Sequence, residues 1–242
     1  MGDGVAVLEI SWMTATTFLM SVGISGAVVP LGVACWTTYN PCTIAFPLLS
    51  DAAASPPSSF LFAALMVLGG YLVVVLGFVV AVMETSSVAD TTRRGVWCVW
   101  GAWAVFVLQS CAGVSLIAVS VIPVWPWDKA HVLAAQSYFA FALAAALVGT
   151  THASLYYPHA WSTRVRRANM VAMAGLGGLM LLFHLRIVWF DVFGVHQLVY
   201  SSIELLFVLS TIASFVIPSF HAAKENGLVL TLVRSSASLS RS

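Results

Sequence analysis

Ionisable side chains lie inside two apolar runs near the end of the chain, in the stretch 180–206. Glu204 stands well inside one run, and Arg186 is the base inside the other, with His184 and His196 close by. A charge left alone at bilayer depth costs at least a few kcal/mol. The two are therefore expected to face the interior of a helix bundle and to share protons or hydrogen bonds. The alternative is a pair that only holds two helices together.

Two more candidates lie near the ends of other apolar runs. Asp51 precedes the second run, and His131 opens the fourth, three residues after Asp128. Residues at that spacing share a helix face, but two ligands alone do not define a metal site. An Asp that caps the helix beside an interfacial His is the expectation. His152 lies about 30 Å further along the same helix, so no shared metal and no cofactor are predicted.

The elements that carry these residues are long apolar helices. The chain is 60% hydrophobic and 8% charged, whereas soluble domains carry about 25% charged residues. Apolar runs of roughly 18 or more residues indicate transmembrane helices. Six are predicted, at about 13–36, 59–83, 97–122, 131–155, 168–190 and 198–218. The expectation is an all-α, six-span membrane domain over 1–222 and a disordered, Ser-rich cytosolic tail over 223–242.

Arginines mark alternate links of this layout. They follow the second run (Arg93, Arg94) and the fourth run (Arg164, Arg166, Arg167). By the positive-inside rule these links, and with them both termini, are cytosolic. With a net charge of +1 and scattered bases, no phosphate-binding face for nucleic acid is predicted.

This orientation predicts that the polar side chains gather in the exoplasmic or luminal half. The predicted polar pocket there consists of Asp51, His131, His184, Arg186, His196 and Glu204.

The other half is predicted to hold anchors rather than a site. The tryptophans from Trp97 to Trp103 recur every three residues and are interpreted as an interfacial anchor, and His152 with Tyr156 as part of an aromatic belt. Gln109 is expected to make a helix–helix hydrogen bond.

Cysteines are few. Cys35 and Cys42 could form a disulfide if they face an oxidising compartment. Cys98 is interpreted as a packing residue.

Three short patterns carry a resemblance to a known family. They are Ser50-Asp51 with Pro56-Pro57, His131 with Phe139, and His196 with Glu204. In these positions the chain resembles the DRAM (damage-regulated autophagy modulator) family and its wider six-span group, which includes factors for remodelling GPI-anchor lipids. The resemblance implies a non-enzymatic protein that regulates autophagy, endolysosomal trafficking or lipid distribution. It also implies membrane lipids as partners and an endolysosomal or other endomembrane location, with the plasma membrane as the alternative.

Two other function classes stay open. An intramembrane lipid-modifying enzyme, like the GPI-lipid branch, would use Asp51, His131, His196 and Glu204, but no nucleophile elbow or HxxxH pair is present. A proton-linked transporter would use Glu204 and a histidine as a relay. The few polar residues predicted for the inner half count against the transporter.

Overall fold

Six helices make up most of the chain in a computed structural model that describes residues 7–37, 49, 54–86, 93–123, 126–156, 158–185, 195–226 and 229–233. The helices are α1 (Trp12–Thr37), α2 (Ser58–Ser86), α3 (Arg93–Val121), α4 (Asp128–Tyr156), α5 (Trp161–His184) and α6 (Val195–Asn226). Two short strands, β1 (Val7–Ser11) and β2 (Val229–Val233), flank them.

Five helices, α1 to α4 and α6, are long and apolar enough to cross a membrane. Together they indicate an integral membrane protein. The fifth helix, α5, begins at Trp161 rather than at 168, because the turns that carry Arg164, Arg166 and Arg167 are also helical. The predicted apolar run 168–190 continues beyond the described part of this helix.

The helices form a closed ring. Each packs against the next, α1 closes the ring against α6, and α6 also touches α2 and α4. Small residues set the closest approach: a Cβ on Gly70 of α2 would lie 2.6 Å from the Gly113 carbonyl oxygen of α3. A larger side chain at either position would push the two helices apart, because backbone atoms cannot move aside locally.

The two strands pair antiparallel, with Val7 opposite Val233 and Ser11 opposite Val229. This pairing places the start of α1 and the end of α6 at the same end of the bundle. We call it the terminal end, and the opposite end, where α1 ends and α2 begins, the distal end.

The predicted disordered tail is corrected in its described part. Helix α6 continues to Asn226, and residues 229–233 form strand β2. The physical reason is that the run of branched apolar residues after 227 favours a strand and pairs with a second short segment near the other end of the chain.

Candidate functional site

A small cavity lies near the distal end, between α2, α3, α4 and α6. His131 and Glu204 border it, together with Leu49, Tyr138 and apolar side chains such as Phe139. Its volume of about 40 Å³ has room for two or three water-sized groups. We call this space the distal cavity. Two of the predicted pocket residues thus come together although 73 positions separate them in the chain.

His131 is a buried link between two helices rather than an interfacial side chain. It is 5% exposed, and its Nδ1 lies 2.7 Å from the carbonyl oxygen of Ile122. A carbonyl only accepts, so Nδ1 carries the hydrogen and donates it. The Nε2 atom of a neutral ring is then an acceptor. The imidazole thereby satisfies a carbonyl that α3 leaves open as it ends.

Glu204 connects α6 to the segment between α1 and α2. Its Oε2 accepts a hydrogen bond of 3.0 Å from the backbone N–H of Leu49. Leu49 is itself 7% exposed and borders the distal cavity. The carboxylate therefore fixes this part of the link against the bundle, beside the cavity.

Tyr138 adds a third polar atom near the cavity. Its hydroxyl lies 2.6 Å from Thr211 Oγ1. Thr211 donates its own hydrogen to the Val208 carbonyl, so Tyr138 is the donor to Thr211. The polar side chains that border the distal cavity are thus a carboxylate, an imidazole and a phenol, and the oxygens of a carboxylate only accept hydrogen bonds.

The other four predicted pocket residues, or their side chains, lie outside the part of the chain that the structure describes. Asp51 and Arg186 lie outside the described residues. His184 and His196 belong to α5 and α6, but their side chains also fall outside the described part. The predicted Arg186–Glu204 pair stays a prediction.

A second cavity of about 40 Å³ lies toward the terminal end, and sequence reasoning missed it. Polar side chains from five helices border it: Glu84, Gln109, Thr150, His152, Arg166, Asn169, Ser214 and Ser219. We call it the terminal cavity. Polar side chains thus gather toward the terminal end as well as at the distal cavity, because each of the helices α2 to α6 turns at least one polar residue inward.

His152 borders the terminal cavity. It is 6% exposed rather than part of an interfacial belt. Its Nε2 lies 3.1 Å from the Cys98 carbonyl oxygen and its Nδ1 lies 3.9 Å from Glu84 Oε2. The second distance is longer than a direct hydrogen bond.

The side chain of Arg166 points into the bundle, whereas those of Arg164 and Arg167 lie at the surface. It is 9% exposed and its NH1 lies 3.5 Å from the Gly149 carbonyl oxygen, whereas Arg164 and Arg167 are exposed. The sequence holds a signal for this difference. Arg166, Asn169 and the fully buried Met173 recur at helical spacing, which places them on one face.

Cys98, His152 and Glu84 follow one another in the order of a nucleophile, a base and an orienting carboxylate. The thiol lies 3.6 Å from His152 Nε2. However, that nitrogen also points at the Cys98 carbonyl, and an imidazole nitrogen 3.1 Å from a carbonyl oxygen carries its hydrogen. It therefore has no lone pair to take the thiol proton. Cys98 is 4% exposed and packs as predicted from sequence.

The remaining site types to consider are a metal site and a disulfide. Among the residues that the structure describes, no three His, Cys, Asp or Glu side chains are grouped as metal ligands. Cys35 is disulfide-bonded, whereas Cys98 and Cys111 are free thiols. Cys42, the predicted partner, lies outside the described residues.

Comparison of the chain with protein-family models, with curated proteins and with solved structures finds no match.

Proposed function

We propose that this chain is a six-span membrane protein that binds the hydroxyl group of a membrane lipid in its distal cavity. In this proposal it acts on lipid distribution or membrane trafficking and catalyses no reaction. The observation that carries the proposal is the shared position of His131 and Glu204 at one small cavity whose other walls are mainly apolar.

Six crossings and cytosolic termini are part of the proposal. The pairing of β1 with β2 supports an even number of crossings, since it brings both ends of the helical region together. Arg164, Arg166 and Arg167 lie at the terminal end of α5, and the positive-inside rule assigns such an end to the cytosol. The distal cavity then faces the luminal or exoplasmic leaflet.

The chemistry of the distal cavity favours a hydrogen-bond donor as ligand. Glu204 and the Nε2 of a neutral His131 both accept, and a phosphate would meet the like charge of Glu204. The cavity has room for two or three water-sized groups. This capacity suits one hydroxyl of a sterol or of a lipid headgroup. Phe62, Met66 and Val208 line the remaining wall and suit the adjoining hydrocarbon.

The DRAM resemblance supports the cellular part of the proposal. It covers the link that holds Leu49 and the positions of His131 and Glu204, which meet at the distal cavity. An endolysosomal or other endomembrane location and a role in autophagy follow from the resemblance.

The test uses lipids that co-purify with the full chain. We expect Glu204→Gln to reduce the bound hydroxyl-bearing lipid several-fold relative to the wild-type chain, while the protein still elutes as a monodisperse peak. Glu84→Gln is the matched control, because it makes the same change at the terminal cavity. Equal lipid retention by the wild-type chain and Glu204→Gln would refute the proposal. So would loss of the folded protein on Glu204→Gln, which would make Glu204 a structural residue only.

A proton-linked transporter is a second candidate, favoured by the terminal cavity. A third cavity, with mainly apolar walls, lies between the distal and the terminal cavity. It shares Tyr138 with the distal cavity. It shares Leu19, Val73 and Phe215 with the terminal cavity. A relay would have to cross this apolar layer, so transport requires a rearrangement of these side chains. Proton-driven uptake in liposomes that both Glu204→Gln and Glu84→Gln abolish would establish it.

A further inference from the structure

A long groove on the outside of the bundle lies between α3 and α4, toward the terminal end. Its volume is about 1060 Å³, and Trp97, Trp100, Leu147 and Leu155 form much of its wall. All four are more than half exposed, Trp100 at 68%. Both helices are apolar enough to cross a membrane, so the groove opens toward acyl chains. We call it the α3–α4 groove.

The floor of the α3–α4 groove is rigid. Gly101 and His152 both border it, and a Cβ on Gly101 would collide with the His152 ring. The Tyr156 ring packs against the same imidazole at 4.8 Å. Because His152 also borders the terminal cavity, this side chain separates the groove from the charged interior. The groove is therefore a preformed depression rather than a gap between loosely packed helices.

Positive charge lies at one end of this apolar groove. Helix α3 begins with Arg93 and Arg94, one turn before Trp97. On the other side, Arg167 of α5 donates from its Nε to Ser154 Oγ at 3.0 Å. That bond holds an exposed guanidinium beside the last turn of α4, the turn that also contains Leu155. At its terminal end the groove is thus followed by the two arginines that open α3 in the sequence and by the hydrogen-bonded Arg167.

We propose that the α3–α4 groove binds one anionic phospholipid of the leaflet at the terminal end. An acyl chain lies against Trp97, Trp100 and Leu147, and the phosphate pairs with Arg167. A guanidinium suits phosphate because its donors form a planar fork. Because the groove is apolar and arginines follow its terminal end, it favours an anionic phospholipid over a neutral one with the same acyl chains. This site is separate from the distal cavity and does not depend on the function proposed for it.

The test measures quenching of tryptophan fluorescence by brominated lipids in nanodiscs that hold the full chain. The quencher is phosphatidylserine or phosphatidylcholine with brominated acyl chains, titrated into a neutral bilayer. The chain has nine tryptophans, so the signal of the groove is the difference between the wild-type chain and Trp97→Phe/Trp100→Phe. We expect half-saturation of this difference signal at an about five-fold lower mole fraction of phosphatidylserine than of phosphatidylcholine.

Two arginine variants separate a specific site from general surface charge. Arg167→Gln should bring the two lipids to within two-fold of each other. Arg164→Gln removes an equal exposed charge from the same helix and should leave most of the preference intact. Equal quenching by the two lipids in the wild-type chain would overturn the proposal. An equal loss of preference in both variants would do so as well, and so would absence of quenching by either lipid, which would mean that protein covers the groove.

Discussion

The carboxylate of Glu204 accepts a hydrogen bond from the backbone N–H of Leu49, a residue 155 positions earlier in the chain. The bond joins the sixth helix to the link between the first two, at the edge of the distal cavity. Glu204 therefore has two roles to distinguish. Its hydrogen bond fixes the link at Leu49, and its side chain also borders the distal cavity. The first prediction separates these roles.

Glu204→Ala removes the acceptor and should release the link at Leu49. A hydrogen bond to a charged group contributes about 1.5–3 kcal/mol, so we expect a loss of this size in the free energy of unfolding. Hydrogen exchange at the Leu49 amide should become faster. Glu204→Gln keeps an acceptor oxygen and should show a smaller effect in both measurements. Unchanged exchange at Leu49 in Glu204→Ala would contradict the bond.

Gly101→Ala should disturb the contact between α3 and α4. The added methyl group would collide with the His152 ring, and such overpacking costs about 1–3 kcal/mol. Thermal unfolding of the purified protein measures this loss. Gly178→Ala is the control, since a Cβ there meets nothing within 4 Å and alanine favours the helix by up to about 1 kcal/mol. Equal melting temperatures of the two variants would contradict this description of the groove floor.

The hydroxyl pair Tyr138–Thr211 should show measurable coupling between α4 and α6. The distance of 2.6 Å between the two oxygens is short, and interhelical bonds of this kind contribute about 0.6 kcal/mol, up to about 1.7, in membranes. A double-mutant cycle with Tyr138→Phe and Thr211→Val measures the coupling energy. A value of zero would show that the two oxygens are not bonded.

Arg166→Gln should destabilise the protein more than the same change at Arg164. Arg166 is 9% exposed, borders the terminal cavity and approaches the Gly149 carbonyl. The neighbouring Arg164 is exposed, and surface substitutions usually stay within about 0.5 kcal/mol. We expect a difference of about 1–3 kcal/mol in unfolding free energy. Equal stabilities would place the Arg166 guanidinium in solvent.

The helices were predictable from sequence because an apolar run of bilayer length has few other structures open to it. The predicted run 13–36, for example, lies within Trp12–Thr37. The fifth helix begins earlier than its apolar run because Arg164, Arg166 and Arg167, which the positive-inside rule places in a link, are also good helix formers.

The two cavities were predictable to different degrees. The sequence predicts Glu204 and His131 as pocket residues because each is an ionisable group near or inside an apolar run. In the structure both border the distal cavity. For His152 and Arg166 the sequence indicates only a position along the helix, near the end of an apolar run, which corresponds to the membrane boundary. Their burial depends on which way each helix is rotated, and that rotation is set by contacts with residues far away in the chain, such as Cys98 and Gly149.

The pairing of β1 with β2 makes the two tails one structural unit. Each strand hydrogen-bonds only to the other in the described sheet, so deletion of either would leave the partner with an unpaired edge, a surface prone to associate with other chains. A truncation designed to probe one tail would therefore alter both. Conversely, a short covalent linker between the tails should be tolerated, which makes the chain a candidate for circular permutation at one of its distal links.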